Sequence, residues 1–226
     1  DGLAERLAER VMRSEMALEQ GEDRPAEFPT WWSLLREACR QLWIYRTTRA
    51  PPLPFELHDT YVSRCRTIML EIVRHHGWAM LYASPRLTAD REVVLAAVRD
   101  NGMSLYYATN DLKNDKEVVL AAVRQHGTVL ASASSELKKD KEVVIAAVSQ
   151  DGRALQYASF RFREDKEVVL AAVSQNGNAM AYASFKLRKD RDVALAALRQ
   201  THTARQYVDK NLTVHDPEVR KLALPG

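Results

Sequence analysis

Cysteine is nearly absent: Cys39 and Cys65 are the only two in 226 residues, far apart and without CxxC spacing. That excludes a disulfide framework and a zinc module, and the pair reads as small buried apolar residues. Long hydrophobic runs are missing too. The longest apolar stretches, such as residues 118–123, fall far short of the roughly 20 residues a membrane span needs, so no spanning helix is expected. Neither sign of charge dominates, because 33 Lys and Arg stand against 30 Asp and Glu, and the resulting +3 names no partner by itself. What is present, 46% hydrophobic and 28% charged residues, is the composition of a folded chain. Residue 1 is Asp, so a targeting segment preceding it could not be read. An intracellular location is the expectation, an organellar one if such a segment was removed.

The equipment of catalysis is equally sparse. His75 and His76 are the only histidine pair, and neighbours on a helix point about 100° apart, so they would not chelate one ion. His58, His126, His202 and His215 share no metal spacing with the cysteines. There is no Gly-rich phosphate loop and no nucleophile elbow. The chain therefore reads as a non-enzyme with no metal and no cofactor.

Glycine is scarce as well, at eight, but five of the eight are in register: Gly77, Gly102, Gly127, Gly152 and Gly177. Asp90, Asp115, Asp140, Asp165 and Asp190 keep the same 25-residue step, each opening a near-copy of Asp-Lys-Glu-Val-Val-Leu-Ala-Ala-Val. The Asp is a good N-cap, the acid two residues on complements the helix dipole, and the Gly suits the left-handed conformation that ends helices. A helix of about ten residues is predicted from each Asp to each Gly. Leu105, Ala108 and Leu112, or Leu155, Ala158 and Phe162, then fall at i, i+3 and i+7, which predicts a second, shorter helix. Ser84, Thr109, Ser134, Ser159 and Ser184 stand where a hydroxyl could cap one further turn, and Pro85 suits its first position.

Units of this kind cannot bury their faces alone. The fold class is therefore all-α: a right-handed α-solenoid of about six tandem 25-residue units, near residues 65, 90, 115, 140, 165 and 190. The solenoid is assigned to residues 57–226, with 216–226 as a half-repeat cap, and residues 1–56 to a non-repeating helical N-terminal arm. Pro51, Pro52 and Pro54 separate the two.

The phrase Asp-Lys-Glu-Val-Val-Leu-Ala-Ala-Val, then Gln-Asn-Gly, then Ala-Leu-x-Tyr-Ala-Ser resembles an abundant repeat family of single-celled eukaryotes, known as a domain of unknown function. The resemblance covers about Cys65 to Gln200. It implies tandem helical repeats and no established activity, and it leaves the arm outside.

Within the repeats, the positions that differ between units are the guide to specificity, since stacking fixes the rest, and a function peculiar to this chain could also sit in the arm. After each Gly stand Trp78, Met103, Thr128, Arg153 and Asn178; four steps after it, Leu81, Tyr106, Ala131, Gln156 and Ala181; a third set is Pro85, Asn110, Ser135, Phe160 and Phe185. Candidate partner contacts are Trp31, Trp32 and Trp43 in the arm, with Trp78, Met103, Tyr106, Arg153, Gln156, Phe160 and Phe185 in the repeats. The arm tryptophans read as a cap over the first repeat or as anchors in another subunit. Phe160 and Phe185 would be neighbours, packed into the groove between units or standing as an exposed ridge, with the groove as the expectation. The favoured function is a protein-interaction scaffold, a structural or peripheral subunit of a larger assembly. RNA binding by a helical-repeat protein is the rival, marked by a basic stripe on one face. It is disfavoured here because unit 115–139 carries four Lys or Arg against three acids and unit 140–164 four against four. An enzyme accessory domain is the second alternative.

Overall fold

The computed structural model describes residues 66–223, and within them the repeat becomes a stack of helices. The long α-helices are α1 (Arg66–Val73), α2 (Arg91–Asp100), α3 (Lys116–Gln125), α4 (Lys141–Gln150), α5 (Lys166–Gln175), α6 (Arg191–Gln200) and α7 (Pro217–Ala223). After each of the first six comes a six-residue 3-10 helix, such as Gly102–Tyr107 or Gly152–Tyr157. A short turn follows, α-helical in Pro85–Thr88, Phe160–Arg163, Phe185–Arg188 and Lys210–His215, and 3-10 in Leu112–Asn114 and Leu137–Lys139. No strand occurs among the described residues.

The helix starts are as the sequence predicts. The Asp140 carboxylate accepts from the Glu142 and Val143 N–H groups at 3.0 and 3.2 Å, and the other four repeat aspartates do the same. Asp216, one residue late against the 25-residue step, still caps α7. Donors that the first helical turn leaves free are thereby satisfied.

The helices stop after ten residues, just before the Gly, as predicted, but not in the predicted way. Asn101, Asp151 and Asn176 leave the helix in extended conformation, with φ between −140° and −147°, and their side chains accept from the N–H two residues on, capping the 3-10 helix instead. None of the five repeat glycines has a left-handed φ. Close approach is what demands glycine: a Cβ at Gly77, Gly102, Gly127, Gly152 or Gly177 would overlap the carbonyl oxygen of Ala97, Ala122, Ala147, Ala172 or Ala197 on the next long helix. The glycine serves the contact between units, not a turn.

The second, shorter helix is present as a 3-10 helix, but it ends before the i+3 position. Leu155, Ala158 and Phe162 are all buried, but they belong to the 3-10 helix, its extended C-cap and the turn beyond. A 3-10 helix has poorer hydrogen-bond geometry and rarely runs long, so the chain breaks at Ala158 and turns to bring Phe162 back onto the core. Of the expected hydroxyl caps, Ser134 accepts from Leu137 and Ser184 from Leu187, whereas Ser84 and Ser159 make no such bond. Pro85 opens its turn as predicted.

The core runs the length of the stack. Each inner long helix packs against the long helices before and after it and against two of the six-residue 3-10 helices. That is why Val118, Val119, Ala122 and Val123, with their counterparts in α4 and α5, are fully buried.

Candidate interaction surface

The strip along the helix starts is a row of ion brackets that reading for caps alone does not reveal. From Arg66 on, a cation every 25 residues reaches the cap of the next unit and the acid two residues beyond it. Lys116 holds Asp140 and Glu142 at 2.7 and 2.8 Å, and Lys166 holds Asp190 and Asp192 at 2.8 and 2.7 Å. Arg66, Arg91, Lys141 and Arg191 complete six rungs, with contacts of 2.5 to 3.0 Å. The side-chain bond from Arg91 holds the Asp115 carboxyl below the usual range, and that from Lys116 does the same for Asp140. The signal was present in the sequence, as a Lys or Arg at 66, 91, 116, 141, 166 and 191.

At the other end of the long helices, the Gln150 amide accepts from Gly127 N–H and donates to the Gln125 carbonyl at 2.9 Å. Gln200 repeats this on Gly177 and Gln175. Turn is joined to turn through the backbone: Ser134 N–H donates to Lys113 O at 2.9 Å, Ser159 to Lys138 at 3.1 Å and Ser184 to Arg163 at 2.9 Å. Each unit is thus tied to the next at three separate places, which fixes the relative positions of whatever the units display.

What they display differs from end to end. Residues one and four places after the Gly eclipse each other on a 3-10 helix, which has three residues per turn. They form one row. In the first two units the row is apolar, with Leu81 44%, Met103 51% and Tyr106 67% exposed beside half-buried Trp78, whose ring meets Tyr82 edge-on at 6.1 Å. Further along it turns polar. Arg153 is exposed and bonded to its own neighbour Asp151 at 2.7 Å, and Gln156 is half-buried. Arg153 and Asn178 line an open polar cleft of about 480 Å³ with Gln150, Gln175 and Gln200.

Phe160 and Phe185 do not pack into the groove between units. They stand 68% and 69% exposed, and the groove is filled instead by Phe162 and Leu187, two residues on. Phe162, which the i, i+3, i+7 spacing already puts on the buried face, fills the place and leaves position 160 free. Trp31, Trp32 and Trp43 lie outside the described residues.

Charge is sorted as well. The six turn segments 84–89, 109–114, 134–139, 159–164, 184–189 and 209–214 together hold ten Lys or Arg and four Asp or Glu. The acids that balance them in each unit sit at the helix starts. A count per unit therefore averages a basic strip with an acidic one. Within the turns, Arg163 donates to the Gln156 carbonyl and Lys138 to that of Ala131, and burial lowers the Lys138 ammonium from its ordinary value. Among the described residues, no helix is long and apolar enough to cross a membrane, and no cluster of three or more His, Cys, Asp or Glu could hold a metal ion.

Residues 65–113, 90–138, 115–163 and 165–213 match the domain of unknown function DUF4116. The chain belongs to that family. Each DUF4116 match spans about two units, and the first three overlap by one unit. No curated protein and no solved structure matches the chain.

Proposed function

We propose that this DUF4116 chain is a protein-interaction scaffold, a structural or peripheral subunit of a larger assembly with no catalytic step of its own. The observation that carries the reading is the apolar quartet of Trp78, Leu81, Met103 and Tyr106 on two adjacent 3-10 helices. Aromatic residues and Met are enriched in protein interfaces. A frame bracketed at every unit also presents them pre-ordered, which lowers the entropic cost of association. The mechanism is shape: a fixed row of side chains whose identities change from unit to unit.

The test is purification of the full chain at native abundance from its own cells, with ribonuclease treatment, beside the double variant Leu81→Glu and Tyr106→Glu. Protein partners that survive ribonuclease and are lost by the variant support the reading. Recovery of the same partners by the variant removes the quartet from the contact.

A further inference from the structure

The turn strip has a chemistry of its own, distinct from the apolar quartet. Phe160 and Phe185 open successive turns, which the bond from Ser184 N–H to Arg163 O holds side by side. Exposed Arg161 and Lys186 follow them, and the Lys189 ammonium lies 4.2 Å above the Phe185 ring. Arg163 and Arg188 are anchored on the backbone carbonyls of Gln156 and Ala181, which fixes the guanidiniums in place without removing their charge. Glu164 is the one acid within the two turns. The acids just beyond, Asp165 and Asp190, are engaged by Lys141 at 3.0 Å and Lys166 at 2.8 Å, and Asp209 of the next turn reaches Lys189 only at 4.0 Å.

Two phenyl rings left in water amid a surplus of cations match a ligand that carries flat aromatic faces and regular negative charge. A single-stranded nucleic acid has both: its phosphates take the cations and its unpaired bases stack on the rings. A duplex keeps its bases stacked on one another and offers the rings nothing. A flat anionic lipid surface would meet the acidic helix starts that run beside the strip, whereas one strand is narrow enough to follow the basic row. We propose that the turns 159–164 and 184–189 bind single-stranded nucleic acid, with Phe160 and Phe185 as base platforms and Arg161, Lys186 and Lys189 as phosphate contacts. The inference stands apart from the scaffold reading, on other residues and other units.

The test is fluorescence anisotropy of the full chain with labelled oligouridine RNA and oligothymidine DNA of about 12 nucleotides, a duplex of equal length and an oligoglutamate peptide, across a salt series. A single strand is expected to bind at least about tenfold more tightly than the duplex, and the two single-strand arms tell ribose from deoxyribose preference. The double variant Phe160→Ala and Phe185→Ala is expected to lose about tenfold or more with its salt dependence kept, since stacking is not screened by salt. Lys186→Glu with Lys189→Glu is expected to flatten the salt dependence. Both phenyl rings are exposed, so the variants should fold, and a circular dichroism melt verifies it. The proposal is overturned by absence of binding, by a duplex that binds as well as the single strand, or by an unchanged affinity of the double Phe variant. Phe-dependent capture of the acidic peptide in place of the oligonucleotides would assign the strip to an acidic protein segment and overturn it too.

Discussion

The helix starts and the turns lie within a few residues of each other in every unit, yet they follow opposite rules. Along the helix starts one bracket recurs six times, varied only by Lys for Arg or Asp for Glu. Along the turns, the equivalent position is Pro85, then Asn110, Ser135, Phe160 and Phe185. Positions that hold a unit to its neighbour have no freedom, because each must fit the same partner. Those that touch no neighbour can be given to something outside the chain. Phe160 and Phe162 show the contrast within one turn: the first is largely exposed, the second buried.

That pair also gives the largest expected effect. Phe162→Ala should lose about 3–5 kcal/mol in urea unfolding, as large-to-small changes at fully buried aromatics do, while Phe160→Ala stays within about 0.5 kcal/mol. Equal losses would erase the distinction between the strips. Gly127→Ala comes next, at about 1–3 kcal/mol by overpacking, because its Cβ meets the Ala147 backbone carbonyl and not a side chain that can swing away. An unfolding curve that matches the wild type would show that the units do not approach so closely. Asp140→Ala should cost about 1–2 kcal/mol through its cap, the exposed bracket adding less. The smallest effect belongs to pH. The side-chain bonds from Arg91 and Lys116 hold Asp115 and Asp140 below their ordinary value of 3.8, so their contribution is present above that value and lost as pH falls through the depressed one. The bracketing lysines, such as Lys116, are raised by their acids, so theirs persists until pH exceeds the ordinary 10.5. A melting temperature flat from neutral to mildly alkaline pH and falling below about pH 4 is the expected profile. A flat profile down to pH 3 would remove the brackets from the account.

Much of the frame was legible in the sequence, because Asp115, Asp140 and Asp165 act locally: a cap needs only the next turn. Family, solenoid and helix starts followed from that. The role of Gly127 was not legible, since an invariant-looking glycine serves a turn or a close approach equally well until the Ala147 carbonyl is seen above it. Nor was the break at Ala158, because a period of i, i+3, i+7 marks a buried face without saying that the helix under it is 3-10 and stops there. Of the surface, the variable positions were found, but the sorting of charge was not: Lys139 and Asp140 are adjacent in the chain and on different strips in the fold. Trp31, Trp32 and Trp43 fall outside the described residues.

The bracket points one way. Every unit offers its cation forward and its acids backward, so any unit can follow any other, and the joint between α3 and α4 is the joint between α4 and α5. Length is therefore a free variable that changes in whole steps of 25 residues: copying one unit adds a rung and extends the display without requiring a new kind of interface. A family built on this joint can match its reach to a partner by counting units, and tune what it carries at each step by changing a few exposed side chains.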